Sequence, residues 1–547
     1  MTREPSKLVS DLLRPEAYAL DGAATNVSLR TTHSSWVFVV GGHAWKVKRP
    51  VDLGFLDFRT AEARRLDCEQ EVRLNRRLAP DVYLGVEPIW WTPAGGHALR
   101  GPGEIVEWAV HMRRLPEAAS AEALLARGAL DAGMLERVAK RLAVFLGRAV
   151  EAPEFGTPAA LARNLEENFR QVVPFVGEVL DQDTLEEVRA FQTGKLRDDH
   201  RRFEARVAEG HVREGHGDLR LEHVYFLPDG DGGGDKAEPT FIDCIEFNER
   251  FRCGDTTAEI AFLAMELEAV GRPDLASGLL ARFAEASDDF GLYGVLDFYL
   301  SYRAWVRGKV AAFLVADPGT PTEIRRRKRD EARRDFALAR SFAARSELRL
   351  ARPFVIVVGG VIGSGKSTLA RALGRQLAAP VVSSDRTRKR LAGLEPSARA
   401  DPELYDESSR ERTYADVLRR AGEVLSAGRG VILDATFSTH RWRHSAAAAA
   451  HTAGAAFVFF EAECASPEIL RARLASRRRY GDPDPLSASD ATDELLPSFL
   501  RHYEASDPSD PEPRFTVDTS GPPDQAVRLA LRDLAASGVP IAPPEAA

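Results

Sequence analysis

The sequence predicts a two-domain protein, an N-terminal α+β half over residues 1–346 and a C-terminal doubly wound, parallel-sheet α/β half over residues 350–537. Two observations carry this. From Pro353 onward the short apolar runs "FVIVV", "APVVSSD", "GVILDATF", "AAFVFFEA" and "FTVDTS" alternate with helical stretches, the pattern of buried parallel strands joined by crossover helices. Before that point short β-rich runs near the N-terminus are followed by mostly helical stretches, with two further short strands between them. A chain of 547 residues is also long for one core. The last stretch, "GVPIAPPEAA" (538–547), is predicted to be a disordered tail.

In the first half, "WVFVV" and "HAWKVKRP" are joined by Gly41-Gly42, a hairpin signal because glycine tolerates positive φ at both turn positions. "TAEARRLDCEQEVRLNRRLA" reads as a helix, and "GEIVEWAVHMRRLP" as a strand running into a connector. Residues 120–212 are mostly amphipathic helix. "HVYFL" and "TFIDCIEF" are strands flanking "PDGDGGGDKAEP". The Asp/Gly alternation of that insert fits no calcium-loop spacing and lacks the bidentate Glu, so it is read as a hairpin insertion. Thr256 to Ser346 is helical again, ending in "EIRRRKRDEARRDFALARSFAARSE". The acids interleaved in that basic run point to a solvated helix face rather than a nucleic-acid surface.

Composition narrows the classes. Apolar residues make up 44% and charged residues 29%, ordinary for a soluble globular chain, and the net charge of −8 does not favour nucleic acid. Four cysteines (Cys68, Cys244, Cys253, Cys464) form no CxxC pair. They suggest neither a disulfide framework nor a zinc site, and they fit a reducing cytoplasm. The opening residues lack the apolar core of a secretory signal, and no apolar run is long enough to span a membrane.

The strongest motif is "GGVIGSGKST". Gly360, Gly363, Ser364, Gly365, Lys366, Ser367 and Thr368 satisfy G-x-x-x-x-G-K-[ST], directly after a predicted strand and before a helix. Glycines let backbone N–H groups curl around phosphate at a helix N-terminus. The Lys366 ammonium reaches the β/γ-phosphates and the Ser367 hydroxyl suits Mg²⁺. Asp385 in "VVSSD" sits at a carboxyl strand end with Arg388 a turn later. It is placed to take a hydroxyl proton, with Arg388 holding an anionic neighbour, or else it caps the following helix. Asp434 in "GVILDAT" suits a metal-binding carboxylate. Arg473 and Arg477 lie on one helix face and are either a lid over the phosphates or surface arginines.

With these residues in view, the second half resembles the small P-loop kinases that include gluconate kinases, chloramphenicol phosphotransferase, zeta-type toxins and polynucleotide kinases. "GGVIGSGKST", "SSD..R", "LDAT" and "SDAT" (Ser489 to Thr492) carry the resemblance. It implies phosphoryl transfer to a hydroxyl on a sugar acid, nucleoside, nucleic-acid end or antibiotic, with Asp385 and Arg388 serving the acceptor.

"GHGDLRLEH" (Gly215 to His223), followed by "FIDCIEF", resembles the core of aminoglycoside phosphotransferase-like kinases. The resemblance covers most of residues 25–345 and implies a bilobal kinase-like fold. By it, Asp218 orients an acceptor hydroxyl and Asp243 binds metal. Lys46 holds the α/β-phosphates with Glu71 as its helix partner, Lys48 and Glu69 being the alternatives. "VHMRRLP" would be the connector near adenine, and His216 the scaffolding histidine of the loop. His223 stands where the family has a metal-binding Asn, which suits Mn²⁺ or zinc better than Mg²⁺. "LRTTHSSWVF" has no glycine where a phosphate-covering loop is expected. The combination is similar to bacterial fused proteins with both kinase-type domains.

The expectation is an ATP- and Mg²⁺-dependent phosphotransferase with its surer catalytic site in the C-terminal half. The N-terminal half is a second kinase, with Mn²⁺ as an option, a substrate- or nucleotide-binding module, or a structural domain. The alternative is a nucleotide-dependent regulatory protein with a degenerate kinase-like sensor. The sequence leaves the acceptor and the oligomeric state open.

Overall fold

The computed structural model describes residues 5–18, 26–32, 34–52, 56–227, 238–348, 353–395, 398, 402–480, 489 and 492–538. The insert at 228–237 and the tail from 539 on lie outside these residues. The chain forms two compact units that do not follow its order. One contains residues 1–141, 145–157 and 207–263; the other contains 142–144, 158–206 and 264–547. The sequence places a boundary near residue 350, whereas the helices of 158–206 and 264–348 group with the C-terminal sheet.

The first unit carries a six-stranded sheet in the order β1-β2-β3-β6-β4-β5. Its strands are β1 (Val27–Thr31), β2 (Ser35–Val40), β3 (His43–Lys48), β4 (Tyr83–Trp91), β5 (His97–Ala98) and β6 (Glu104–Arg113). The expected hairpin joins β2 to β3, with Gly41 at φ +56°. The helix Ala61–Asn75 starts where the Thr60 side chain accepts from the Ala63 N–H, satisfying one orphan donor of its first turn. It packs on β4 and β6, with Cys68 and Val72 beside Tyr83 and Val110 in one apolar cluster. Two small ladders complete the unit: β7 (Val212–Glu214) with β10 (Cys253–Asp255), and β8 (Val224–Phe226) with β9 (Pro239–Phe241). The run "TFIDCIEF" is strand only through Phe241, because Asp243 takes the left-handed conformation at φ +64° and turns the chain out of the ladder.

The second unit combines a helical block with a parallel sheet. All five predicted C-terminal strands form: β11 (Phe354–Gly359), β12 (Val381–Ser383), β13 (Val431–Asp434), β14 (Ala456–Glu463) and β15 (Arg514–Asp518). They pair in parallel in the order β12-β13-β11-β14-β15. Ile356, Val358, Ile432, Val458 and Phe460 form the sheet's buried core with Leu369 and Leu373. The basic helix Thr322–Leu348 buries Ala332, Phe336, Ala339 and Phe342 on one stripe. On its outer side Arg329 pairs with Glu178 at 2.7 Å and Arg340 with Glu187 at 2.5 Å, so acids of the same unit meet these arginines. All four cysteines are free thiols. No helix among the described residues is long and apolar enough to cross a membrane.

Candidate active sites

In the second unit the loop after β11 turns back on itself before the helix Lys366–Gln376. Gly360 has φ +138°, and a Cβ there would lie 2.6 Å from the Ala462 carbonyl oxygen, so no side chain fits. Gly365, at φ +89°, is the N-cap that points the following N–H groups at the loop's interior. Ser364 is buried in the turn, and its carbonyl accepts from the Thr519 hydroxyl. The Lys366 ammonium pairs with no carboxylate among the described residues, leaving its charge for a ligand.

The Ser367 hydroxyl donates to Asp434 Oδ1 at 3.1 Å. Asp434 ends β13, next to β11, which explains why an apolar strand terminates in an acid here. Burial pushes the Asp434 carboxyl above the usual carboxylate range, against the pull of Lys366. A divalent cation would offset that burial cost, and hydroxyl plus carboxylate is a hard oxygen set suited to Mg²⁺.

Asp385 opens the helix Ser384–Leu391 after β12 and lines one pocket with Ser367 and Asp434. Its Oδ1 accepts from Arg388 Nη1 at 2.7 Å, one turn on. The Arg388 guanidinium also lies 4.6 Å from the Tyr405 ring centroid and is nearly buried. Arg388 therefore clamps Asp385 and has little reach beyond it.

Arg473 does not stand off as a lid arm. Its guanidinium donates to the carbonyls of Thr519 (2.5 Å) and Gly363 (3.4 Å). Arg473 and Thr519 line a second pocket with Thr368 and Pro523, on the other flank of the loop. Arg477 falls in the helix Pro467–Tyr480, but its side chain lies outside the described residues, as do Asp490 and Ala491 of "SDAT". Ser489 lines the Asp385 pocket.

In the first unit, β3 presents Lys46 and Lys48 on one face toward the helix Ala61–Asn75. Lys46 Nζ lies 2.9 Å from Glu71 Oε1 and 2.9 Å from Asp243 Oδ1. Lys48 bonds Glu71 Oε2 at 2.6 Å, Asp67 at 2.8 Å, and Glu246. Glu69 is exposed and pairs with Arg65 instead. Lys46 thus reaches Asp243, while Lys48 is sealed in its own carboxylate cage, 1% exposed. Lys46, foremost, and then His223 hold the Asp243 carboxyl well below its usual range, despite burial. Burial pushes Glu246 up to about 7, against the attraction of Lys48.

The "GHGD" turn is tied to this cluster through its histidines. His216 is fully buried and donates from Nε2 to the Ile242 carbonyl at 2.8 Å, which leaves Nδ1 to accept from the Asp218 N–H at 3.4 Å. Burial, with His223 nearby, lowers its pKa to about 4, so it stays neutral. His223 Nδ1 lies 2.6 Å from the Asp218 carbonyl, which can only accept, so Nδ1 carries the proton. Its Nε2 faces Asp243 Oδ2 at 3.7 Å. A nitrogen and a carboxylate oxygen set this way fit one borderline cation such as Mn²⁺.

Several supporting groups carried no motif signal. The Tyr83 hydroxyl accepts from the Asp243 N–H at 3.1 Å, Asn75 Oδ1 accepts from the Cys244 N–H at 2.9 Å, and Glu259 accepts from the Gly217 N–H at 2.9 Å. Gly217 has φ +87°, and a Cβ there would meet the Phe251 carbonyl at 2.5 Å. Asn75 and Glu246 stood inside quoted stretches, but neither was singled out there.

The AAA domain family model (AAA_33) matches residues 355–505. The protein Rv2004c of Mycobacterium tuberculosis is 32% identical over 512 residues, covering 92% of this chain and 94% of that protein, and Mb2027c of Mycobacterium bovis matches equally. Among solved structures, a gluconokinase from Sinorhizobium meliloti 1021 is 26% identical, covering 34% of this chain and 94% of its own, at a TM-score of 0.25. A choline kinase from Cryptosporidium parvum Iowa II is 10% identical, covering 62% and 94%, at a TM-score of 0.38. The chain belongs to the family of Rv2004c and Mb2027c, and its C-terminal part carries the AAA domain of the matching model.

Proposed function

We propose that the chain is an ATP- and Mg²⁺-dependent phosphotransferase in which the P-loop half passes the γ-phosphoryl group to a hydroxyl acceptor. One observation carries the reading: Asp385, clamped by Arg388 at 2.7 Å, lines the same pocket as Ser367 and Asp434. A carboxylate so held is oriented toward a ligand beside the phosphates and has little freedom to turn away. Asp385 takes the proton of the acceptor hydroxyl as its oxygen bonds to phosphorus and the bond to the β-phosphate oxygen breaks. Lys366 holds the β/γ-phosphates, and Ser367 and Asp434 hold Mg²⁺, which when bound neutralises charge on the transferring group. Arg473 keeps the flank of the loop closed around the nucleotide. Asp385→Asn should lower transfer by about 10²- to 10⁴-fold while Mg·ATP still binds. Undiminished acceptor phosphorylation in that variant would remove Asp385 from the mechanism.

For the kinase-like half, the Lys46–Glu71 pair supports nucleotide binding, with Asp218 facing an acceptor and Asp243 and His223 sharing a cation, preferably Mn²⁺. Lys46 must first give up Asp243, because the lysine would otherwise meet phosphate with both neighbouring carboxylates attached. That requirement favours a binding or slow-transfer role over fast chemistry. Four free thiols and the absence of a membrane-crossing helix among the described residues fit a cytoplasmic setting.

A further inference from the structure

The pocket beside Asp385 is not built by the P-loop domain alone. Its lining includes Glu285, Asp288 and Phe290, at and just beyond the end of the helix Pro273–Ser287 in the helical block. This helix is fastened to the sheet edge. Among the described residues strand β12 has a strand neighbour on one side only, and side chains cap its outer edge: the Val381 N–H donates to Glu285 Oε1 at 2.7 Å and Arg282 donates to the Ala379 carbonyl at 2.9 Å. Arg282 and Glu285 also pair with each other at 2.8 Å. Asp288, in the left-handed conformation, receives both terminal nitrogens of Arg420 at 2.7 Å. Arg420 also bonds Asp416 at 2.8 Å, and Asp416 in turn bonds Arg390 of the Asp385 helix at 2.6 Å. Phe290 packs under the Arg420 guanidinium, 5.4 Å from its ring centroid. A planar, doubly bonded arginine is a rigid attachment.

The charges in this pocket are unevenly spent. Glu285, Asp288, Asp385 and Asp434 are each engaged, by Val381 and Arg282, Arg420, Arg388 and Ser367 respectively. Arg386, half-buried and lining the same pocket, pairs with no group among the described residues. Among the described residues it is a cation without an anion, next in sequence to the proposed general base.

Resting on the phosphotransferase reading above, we infer that the segment Glu285–Phe290 is the outer wall of the acceptor pocket, and that the pocket takes a small hydroxyl compound bearing an anionic group, which Arg386 holds. The wall stands in the same pocket as Ser367 and Asp434, an arrangement that suits a compact acceptor better than a polymer end. Arg386 holds the ligand, and Arg388 positions the base.

The test uses the full chain with Mg²⁺ and γ-labelled ATP. The acceptors are sugar acids and sugar phosphates, the matching neutral sugars, and a 5′-hydroxyl DNA oligonucleotide. Label should pass to an anionic small acceptor at least about tenfold faster than to its neutral counterpart, as expected for a charge-assisted contact. With that acceptor, Arg386→Gln should raise its KM about tenfold or more, and Phe290→Ala several-fold, while the KM for ATP changes less than about twofold. Preferential labelling of the oligonucleotide or of neutral sugars, or an acceptor KM unmoved in both variants, overturns the inference. Labelling that is indifferent to Asp385→Asn, or no labelling of any acceptor, instead overturns the transfer reading and the inference with it.

Discussion

The two phosphate-type sites of this chain differ most in the state of their lysines. Lys366 sits at a helix N-terminus with no carboxylate partner among the described residues, its charge available. Lys46 is held between Glu71 and Asp243, each at 2.9 Å, with its pKa raised by those charges, Asp243 first, in spite of burial. The first site is built from ten consecutive residues and main-chain geometry; the second gathers side chains from β3, a helix, the "GHGD" turn and the residues after β9. A site made of backbone can wait for its ligand with its charge unspent. A site made of opposed side chains neutralises itself until nucleotide or metal separates them.

The largest expected effect lies at the unspent lysine. Lys366→Met should cost on the order of 10³ in transfer, the scale of losing a charge-stabilising group in a positioning-dominated reaction. Lys46→Met should leave that transfer within a few-fold and instead remove whatever nucleotide binding the kinase-like half contributes, read by calorimetry in the Lys366→Met background. A collapse of transfer in Lys46→Met would erase the contrast between the sites.

Next in size is the pH response of the buried histidine. His216 has its pKa lowered from 6.5 to about 4, so its neutral form is the one the fold favours. Its contribution to stability is fully present above pH 6.5 and is lost as pH falls toward 4, by up to about 3 kcal/mol. Glu246, raised to about 7, works in the opposite sense: its contribution is full below pH 4.5 and is lost as pH rises through 7. The difference between wild type and His216→Gln isolates the histidine. Urea titrations should show the variant less stable at pH 7.5 and the gap closing toward pH 4.5. A constant gap would mean that His216 does not remain neutral in the fold.

The smallest effect concerns metal choice. His223→Asn restores an oxygen donor beside Asp243, and should shift the kinase-like half's preference from Mn²⁺ toward Mg²⁺ by about tenfold. Nucleotide binding to the Lys366→Met chain, titrated with each cation, reads this directly. An unchanged Mn²⁺-to-Mg²⁺ ratio would take His223 out of the metal site.

What was legible in the sequence follows the same divide. The five C-terminal strands, the loop at Gly360–Thr368 and the hairpin at Gly41-Gly42 rest on local patterning, and all three stand in the structure. The choice of Glu71 over Glu69 needed helix phase: both lie on the same helix, and only Glu71 turns inward. The cage around Lys48, the Tyr83 hydroxyl under Asp243 and the clamp of Arg282 and Glu285 on the edge of β12 join residues far apart in sequence, where no spacing rule applies. Arg473 was readable as a cation near phosphate, but its bond to the Thr519 carbonyl depends on where β15 ends. The regrouping of the helices 158–206 and 264–348 with the C-terminal sheet was invisible for the same reason: it is written in side-chain pairs such as Asp288–Arg420.

The most direct test of the central claim is label transfer from Mg·ATP to a hydroxyl acceptor by the full chain, compared in wild type, Lys366→Met and Lys46→Met. Transfer should fall by about 10³ in Lys366→Met and persist in Lys46→Met. Transfer that survives Lys366→Met and vanishes with Lys46→Met would contradict that claim, and would move the catalytic centre to the kinase-like half.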